Sequence, residues 1–432
     1  MNRRDFLKTT TLTSLAAASY GSLTRLLAQT PSAAAAAPAA FPTFPADPCL
    51  QVGLNAYSFA KELNTYLSNS GAAGSKSGGS GSSKSSSGSS KKSGGKKSGS
   101  TTSTHDKSAP DPGAPVGGVK GAGTKGTAAG MSLFQLIDFT ADPKHRFDAV
   151  DLTGYYFPGY KSDAVGVPTD DFIKKVKRYA ADREMPISGT GIGNTLTGVP
   201  FDREGRASGN FSRDRGGDPA ALALEVERIK AWIEVAAKLG APVLRIFAGL
   251  EPSYLIPWHV KPENREAAAK ELAAWRAETF KRMVDAIHEF LPTARQNGVI
   301  VGIQNHGEFL RNADQCAELI NAVGDRKNFG LILDTGYFTT PDPFIDIERM
   351  VPYAVNFQIK EYTRTCPDLF TDIDTRFVPM DLPRLMDILR RTGYKGVLPI
   401  ETLPAAKLTP YDPFTEIPVF LNRVRAAIHA SA

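Results

Sequence analysis

The segment GVIVGIQNH, residues 298–306, joins an apolar run to three polar side chains. The apolar part is rich in β-branched residues, which is typical of a buried strand. Gln304, Asn305 and His306 at its end would be costly to bury without hydrogen-bond partners. A strand that is apolar along its length and polar at its carboxyl end is typical of α/β folds, in which such strand ends line a binding site.

Seven further segments combine a short apolar run with polar residues near its end. They are LQVGLNAYSF (50–59), FDAVDLTGYYF (147–157), PISGTGIG (186–193), APVLRIFAG (241–249), FGLILDTGYF (329–338), AVNFQIKEY (354–362) and KGVLPIETL (395–403). Segments with helical periodicity lie between them; one runs from Asp218-Pro219 to Gly240, and another from Asp381 to Gly393. Eight strands that alternate with helices predict a (β/α)8 TIM barrel. The alternative, a doubly wound open sheet, is disfavoured because no glycine-rich phosphate-binding fingerprint follows any strand.

Residues 66–130 interrupt this pattern with a Gly/Ser/Lys-rich composition, as in GSKSGGSGSSKSSSGSSKKSGGKKSGS (74–100). Such a composition cannot bury enough apolar surface to offset the entropy of ordering, so it predicts disorder. The sequence before it is too short to be a domain, and the segment is therefore predicted to be a loop insertion after the first strand. The predicted barrel domain spans residues 49–432 and is interrupted by 66–130.

The N-terminal residues 1–30, MNRRDFLKTTTLTSLAAASYGSLTRLLAQT, contain paired arginines followed by an apolar stretch. RRDFLK (3–8) resembles the bacterial twin-arginine export motif. It predicts a signal peptide over residues 1–30, an Ala/Pro-rich leader over residues 31–48, and a protein that is periplasmic or otherwise exported. The segment is too short and too polar for a permanent membrane span, so no integral span is predicted in the mature chain.

The formal charge of +6 is concentrated outside the predicted barrel. Residues 1–30 carry +3 and residues 66–130 carry +7, which leaves −4 for the remainder. A mildly acidic barrel is not typical of a nucleic-acid-binding domain. The basic charge of the whole chain therefore does not indicate what the barrel binds, and no nucleic-acid partner is predicted.

The carboxyl ends of the strands of a TIM barrel surround one shared mouth, where the active site lies. The polar residues expected there come mainly from the last four strands. They are Asn55 (first strand), Arg245 (fourth), Gln304, His306 and Glu308 (fifth), Asp334 (sixth), Gln358, Lys360 and Glu361 (seventh), and Glu401 (eighth). Each of them alone could be a solvated or capping side chain, but their convergence in a barrel predicts a functional pocket.

This arrangement resembles the xylose-isomerase-like TIM-barrel superfamily, in particular its sugar phosphate isomerase/epimerase branch. The resemblance covers residues 50–430 around the insertion. It implies one metal ion that is held by Glu, Asp, His and Glu at the ends of strands five to eight. The matching positions are Gln304, Asp334 in LDTG, Gln358 in QIKE and Glu401 in PIE.

Two of these four predicted ligands depart from the pattern, since Gln304 stands in place of Glu and Gln358 in place of His. A Gln carbonyl oxygen can still bind a hard cation, so the four residues predict a site for Mn²⁺, Mg²⁺ or Ca²⁺. Gln cannot accept a proton at neutral pH, and the relay between two glutamates that the resemblance implies cannot run unchanged. Glu401 remains as a candidate acid/base.

Two more residues are candidates for catalysis. His306 is a candidate acid/base because histidine titrates near neutral pH. Lys360 lies two residues after Gln358, on the same face of the strand, and could stabilise an enolate. Arg245 is either a substrate contact or an internal partner of Asp151 or Glu401, because it would be costly to bury alone. The other predicted substrate contacts are Asn55, Glu308 and Glu361.

These features predict an exported carbohydrate-active enzyme, an isomerase or epimerase, that removes a proton beside a carbonyl with help from a divalent ion or Lys360. A lyase or hydratase that acts on a 3-keto sugar is an alternative, and so is a catalytically degenerate barrel that only binds sugars. Phosphodiester cleavage, which the superfamily resemblance also suggests, is disfavoured. The nucleases concerned use several metals with many His ligands, whereas this chain has 6 His.

Overall fold

The computed structural model describes residues 50–74, 130–160, 165–199, 219–252, 255–306, 309–366, 376–402 and 411–431. The predicted signal peptide, the Ala/Pro-rich leader and most of the predicted insertion lie outside these ranges. In the described part of the chain, no helix has the length and apolar character that crossing a membrane requires.

Eight parallel strands close into a barrel in the order β1-β10-β7-β6-β5-β4-β3-β2, which confirms the predicted TIM barrel. The barrel strands are β1 (Gln51–Asn55), β2 (Ala149–Thr153), β3 (Ile187–Gly191), β4 (Val243–Phe247), β5 (Ile300–Gln304), β6 (Phe329–Asp334), β7 (Ala354–Lys360) and β10 (Val397–Glu401). Every residue of these strands is buried except Gln51, which is half-buried. Burial on both faces is the reason that the strands are continuous apolar runs in the sequence.

The helices pack around the outside of the barrel. They are α1 (Ala60–Gly74), α2 (Leu133–Ala141), α3 (Asp170–Ala181), α4 (Pro219–Leu239), α5 (Arg265–Asn297), α6 (Ala313–Val323), α7 (Pro343–Met350), α8 (Leu382–Arg391) and α9 (Pro413–Ala430). Two predicted helix boundaries, the start of α8 and the end of α4, are confirmed. Asp381 caps α8 by accepting a hydrogen bond from Arg384 N, and α4 ends before Gly240, whose φ of 84° favours glycine.

One predicted boundary was wrong, and one element was missed. Residues 66–74, assigned to the disordered insertion, continue α1, which begins at Ala60. The antiparallel pair β8 (Tyr362–Thr365) and β9 (Arg376–Pro379) was not predicted, because both strands are short and polar. Where the chain returns to the described barrel after the insertion, Met131 N donates to Glu62 O at 3.0 Å, so the two flanks meet.

Candidate active site

A cavity opens at the carboxyl ends of the barrel strands, as predicted for a TIM barrel. It is lined by Asn55, Tyr57, Thr153, Tyr155, Arg245, Phe247, Gln304, His306, Gln358, Lys360 and Glu401. Seven of these residues are among the ten that the sequence predicts for the site. Asp334 does not line the cavity itself, but it contacts Lys360 and Gln304, which do.

A buried ion cluster forms the floor of the cavity. Lys360 Nζ contacts Glu401 Oε1 and lies 3.4 Å from Asp334 Oδ2. The three side chains come from β7, β10 and β6, and each is less than a tenth exposed. Two carboxylates that share one ammonium can remain charged inside the barrel because the pairing offsets part of the cost of desolvation.

The amide of Gln304 lies against the same carboxylate. Its Nε2 donates to Asp334 Oδ2 and to Gln358 Oε1, both at 2.6 Å. Because an ionised carboxylate only accepts hydrogen bonds, Gln304 turns its NH₂ group, not its carbonyl oxygen, toward Asp334. Gln304 Oε1 is buried and has no hydrogen-bond partner among the described residues.

Asp334 is held rigidly by its neighbours. The side chain of Asn305 bridges its backbone, since Nδ2 donates to Asp334 O at 2.9 Å and Oδ1 accepts from Asp334 N at 2.7 Å. Gly336 N donates to Asp334 Oδ1 at 2.9 Å. Burial raises the pKa of Asp334 to about 6; Lys360 opposes this rise and Glu401 adds to it. Asn305 therefore has a structural role in the polar stretch that follows β5.

Arg245 enters the cavity from the opposite side. Its Nη1 and Nη2 donate to Tyr155 Oη at 3.2 and 3.1 Å, and its guanidinium carbon lies 4.4 Å from the centroid of the Phe247 ring. Gly191 on β3 leaves the necessary space, since a Cβ there would overlap the guanidinium group. Among the described residues, no carboxylate accepts a hydrogen bond from Arg245. The two predicted internal partners, Asp151 and Glu401, act on it at longer range: against burial, which lowers the pKa of Arg245, their charges together with Tyr155 raise it.

Asn55 and Asp151 join the ends of β1 and β2. Asn55 Nδ2 donates to Asp151 Oδ1 at 3.4 Å, and Asn55 Oδ1 accepts from Tyr57 N at 2.8 Å. Burial raises the pKa of Asp151 to about 6, against the opposing effect of Arg245. Asn55 thus lines the cavity, but its amide is also engaged in holding the two strand ends together.

His306 reaches the cavity although it lies two residues beyond the end of β5. Its ring centroid is 3.9 Å from that of Tyr337 and 5.0 Å from that of Phe247, and the side chain is buried. Aromatic packing on both sides fixes the orientation of the imidazole. His306 thus lines the cavity, and its role as an acid/base stays a prediction.

One predicted substrate contact, Glu361, is not brought to the cavity. Glu361 follows Lys360 directly, so its side chain points to the opposite side of the strand. There it lies near Glu416 and Arg423 of α9, and burial together with Glu416 raises its pKa to about 7. Glu308 lies outside the described residues.

The residues that sequence reasoning missed are aromatic. Phe247 and Tyr337 follow or end apolar runs, where an aromatic side chain is hard to distinguish from the core. Two tyrosines carry a better signal, since Tyr57 lies at the end of the first strand segment and Tyr155 in a tyrosine-rich loop directly after β2. Tyr57, Tyr155 and Phe247 line the cavity and give the mouth an apolar wall beside its charged floor.

A divalent metal ion does not fit the site as these residues are arranged. The four predicted ligands converge, but the ammonium of Lys360 lies between the two carboxylates. Gln304 presents hydrogen-bond donors, and its Nε2 already engages the oxygen of Gln358. In the described part of the chain, no three His, Cys, Asp or Glu side chains group together in a way that could hold a metal ion.

A closed parallel barrel with a polar site at the carboxyl ends of its strands defines the class of TIM-barrel proteins. The sequence match is more specific. Residues 136–413, more than half of the chain, match the family described as xylose isomerase-like TIM barrel, and the chain belongs to this family. No curated protein sequence matches the chain.

Several solved structures are similar at low sequence identity. The 3-keto-D-glucoside 4-epimerase of E. coli is 13% identical, with a TM-score of 0.46 over 68% of this chain and 94% of its own. Mannonate dehydratase from Streptococcus suis is 14% identical, with a TM-score of 0.45 over 71% and 94%. A xylose isomerase domain protein from Planctomyces limnophilus is 14% identical, with a TM-score of 0.45 over 69% and 92%. No conclusion about the reaction follows from similarities of this size.

Proposed function

We propose that the chain is a carbohydrate-active enzyme of the isomerase or epimerase type, which removes a proton from the carbon beside a carbonyl group. The observation that carries the proposal is the buried Lys360 ammonium at the floor of the cavity, with Glu401 and His306 beside it. Membership of the xylose isomerase-like family supports a sugar as the substrate class.

In this proposal the Lys360 ammonium donates a hydrogen bond to the substrate carbonyl oxygen. As a proton leaves the neighbouring carbon, negative charge develops on that oxygen, and a positive charge preorganised there stabilises the enolate. Glu401 accepts the proton once the carbonyl oxygen replaces it as the partner of Lys360, and His306 is the second acid/base at the cavity. Return of a proton to the other face of the same carbon gives an epimer.

Arg245 and Asn55 are the substrate-binding residues in this proposal. The guanidinium group can donate to sugar hydroxyl oxygens while Tyr155 and Phe247 pack against the apolar face of the ring. Divalent-metal assistance, which the resemblance implies, is not used for any step, because Lys360 lies between the carboxylates that would bind the ion.

The test is incubation of the enzyme with a panel of free sugars and 3-keto sugars in D₂O, followed by mass spectrometry and NMR. We expect deuterium at the carbon beside the carbonyl, together with an isomerised or epimerised product. Glu401→Gln should abolish exchange, whereas the matched exposed variant Glu184→Gln should not. A dehydrated or cleaved product would instead assign the lyase or hydratase alternative.

One observation favours a second candidate, a barrel that only binds sugars. Lys360 engages both carboxylates of the floor, and Gln304 cannot act as a second base. Calorimetric titration with the same sugar panel distinguishes the two. Saturable binding by the wild type without any deuterium incorporation would establish the binding barrel and reject the enzyme.

The export of the protein is also a proposal, which rests on RRDFLK (3–8) in the N-terminal segment. We propose transport by the twin-arginine route to the periplasm or beyond. Replacement of Arg3 and Arg4 by lysine should retain the protein in the cytoplasm, as measured by fractionation and immunoblotting. Export that persists in this double variant, or in cells that lack the twin-arginine translocase, would contradict the proposal.

A further inference from the structure

Lys360 lies where the carboxyl ends of three strands meet. Its ammonium contacts carboxylates of two different strands, Asp334 on β6 and Glu401 on β10. All three side chains are buried. A buried charge is tolerated when it is paired, and here each carboxylate is paired with the same ammonium. The cluster of one ammonium and two carboxylates has a net charge of −1.

The hydrogen bonds around the cluster are compatible with a lysine ammonium and not with a metal ion. A metal ion requires oxygen lone pairs that point toward it. Gln304 presents N–H groups instead, one to Asp334 and one to the side-chain oxygen of Gln358. Gln304 therefore stabilises the carboxylate of Asp334 as a hydrogen-bond donor, Gln358 accepts its other hydrogen bond, and the carboxylate is left to be paired with the ammonium.

The backbone next to Asp334 is shaped around the stem of Lys360. Thr335 Oγ1 accepts a hydrogen bond from Lys360 N at 3.0 Å, which fixes the end of β7. At Gly336, a Cβ would lie 2.8 Å from Lys360 Cγ and 3.2 Å from its Cβ, so only glycine leaves room for the lysine. The backbone hydrogen bond and the space at Gly336 thus define where the side chain of Lys360 begins its path.

We propose that the Lys360 ammonium is the permanent cation of the site, that it takes the place of the divalent ion implied by the family, and that the site binds no metal. A divalent ion at the same carboxylates would lie within a few ångströms of the ammonium, where like charges in a weakly polar interior repel strongly. The inference concerns the cation alone and holds whichever substrate the site takes.

The experiment is a Mn²⁺ titration of the full-length chain after removal of metals with EDTA, with free Mn²⁺ measured by electron paramagnetic resonance. The wild type is compared with Lys360→Met, Lys360→Arg and the control Lys238→Met. Lys238 pairs with Asp170 on the surface and is 49% exposed, so its removal changes the net charge equally but outside the cluster. We expect no saturable binding up to about 1 mM Mn²⁺ except by Lys360→Met, which should bind at least about tenfold more tightly than the wild type.

The result that overturns the inference is stoichiometric Mn²⁺ binding by the wild type at micromolar concentration that Asp334→Asn abolishes. A folded Lys360→Met that binds Mn²⁺ no better than Lys238→Met would overturn it equally. If Lys360→Met does not fold, the wild type and Lys360→Arg decide: tight binding by either contradicts the inference, and its absence from both supports it. Because sugar turnover is not measured, failure of the proposed function leaves this outcome unaffected.

Discussion

The two sides of the barrel mouth hold their positive charges in opposite ways. On the ionic side, formed by Lys360, Asp334 and Glu401, the ammonium is paired with two carboxylates. On the aromatic side, formed by Arg245, Tyr155 and Phe247, the guanidinium donates to a neutral phenol and packs against rings. Both cations are buried, yet only one of them is neutralised by direct ion pairs with described residues.

The difference indicates different tasks for the two cations. A cation that is held by carboxylates is already in position when charge develops on a substrate oxygen, and in the proposed mechanism only its contact with Glu401 is exchanged for one with that oxygen. A cation held by aromatic side chains keeps hydrogen-bonding capacity for an incoming ligand, since a guanidinium group has five N–H donors. The ionic side therefore suits chemistry, and the aromatic side suits recognition.

The largest expected effect comes from breaking the ionic side with Lys360→Met. Two buried carboxylates then lose their partner, which should destabilise the fold by about 3–5 kcal/mol. Turnover should fall by about 10³-fold or more, because the charge beside the reacting oxygen is gone. Urea unfolding and the deuterium-exchange assay measure the two effects. Unchanged turnover per folded molecule would remove Lys360 from the mechanism.

Breaking the aromatic side with Arg245→Met should act on binding instead. We expect kcat/KM to fall by about 10–100-fold, mainly through KM, because the lost hydrogen bonds are made to bound substrate as well as to the transition state. Tyr155→Phe, which removes only the hydroxyl that orients Arg245, is the milder companion and should have a smaller effect in the same direction. A fall in kcat alone would place Arg245 in the chemical step and erase the contrast between the two sides.

Two glycine substitutions test how tightly Lys360 and Arg245 are packed on the two sides of the mouth, without removing either cation. In Gly336→Ala the new Cβ meets the stem of Lys360 and also lies 3.2 Å from Tyr362 O, so overpacking should cost about 1–3 kcal/mol. In Gly191→Ala the Cβ meets only the mobile end of Arg245, which can move aside. Gly191→Ala should therefore weaken substrate binding with little change in melting temperature. The reverse order of stability losses would contradict these placements.

The smallest expected effect is the pH dependence of stability that comes from the ionisation of Asp151. Burial raises the pKa of Asp151 to about 6, so the unfolded chain releases this proton more readily than the folded protein does. The stability that Asp151 contributes is complete at pH values below its ordinary pKa and is lost as pH rises through about 6. Relative to Asp151→Asn, the wild type should lose about 1 kcal/mol of unfolding free energy between pH 5 and pH 8. Parallel urea titrations at the two pH values check this; a constant difference would place Asp151 in a solvated environment.

Sequence patterns predicted the fold well because the barrel depends on features that a single strand displays. Short apolar runs that alternate with helical patterns identified all eight barrel strands. Strand alternation also placed Lys360 on the face of Gln358, and the same alternation puts Glu361 on the other face. The prediction of Glu361 as a substrate contact did not apply this rule.

The contacts within the site could not be predicted, because they depend on distances between separate strands. Nothing in the sequence fixes which carboxylate Lys360 contacts, or that Gln304 turns its NH₂ group toward Asp334. The partner of Arg245 is a tyrosine from the loop after β2, whereas sequence reasoning considered only carboxylates as internal partners. Residues 66–74 continue a helix because α1 begins before them, although their Gly and Ser content favours a loop.

Closure of the barrel by its first and last strands ties the candidate site to the synthesis of the whole barrel. β10 pairs with β1, so that Gln51 lies opposite Val397, and Glu401 is the final residue of the closing strand. Such a contact between distant parts of the chain forms late, because the whole intervening sequence must first be made and ordered. Lys360 therefore leaves the ribosome before its second carboxylate, and the complete ion cluster can exist only in a chain that has been translated beyond Glu401.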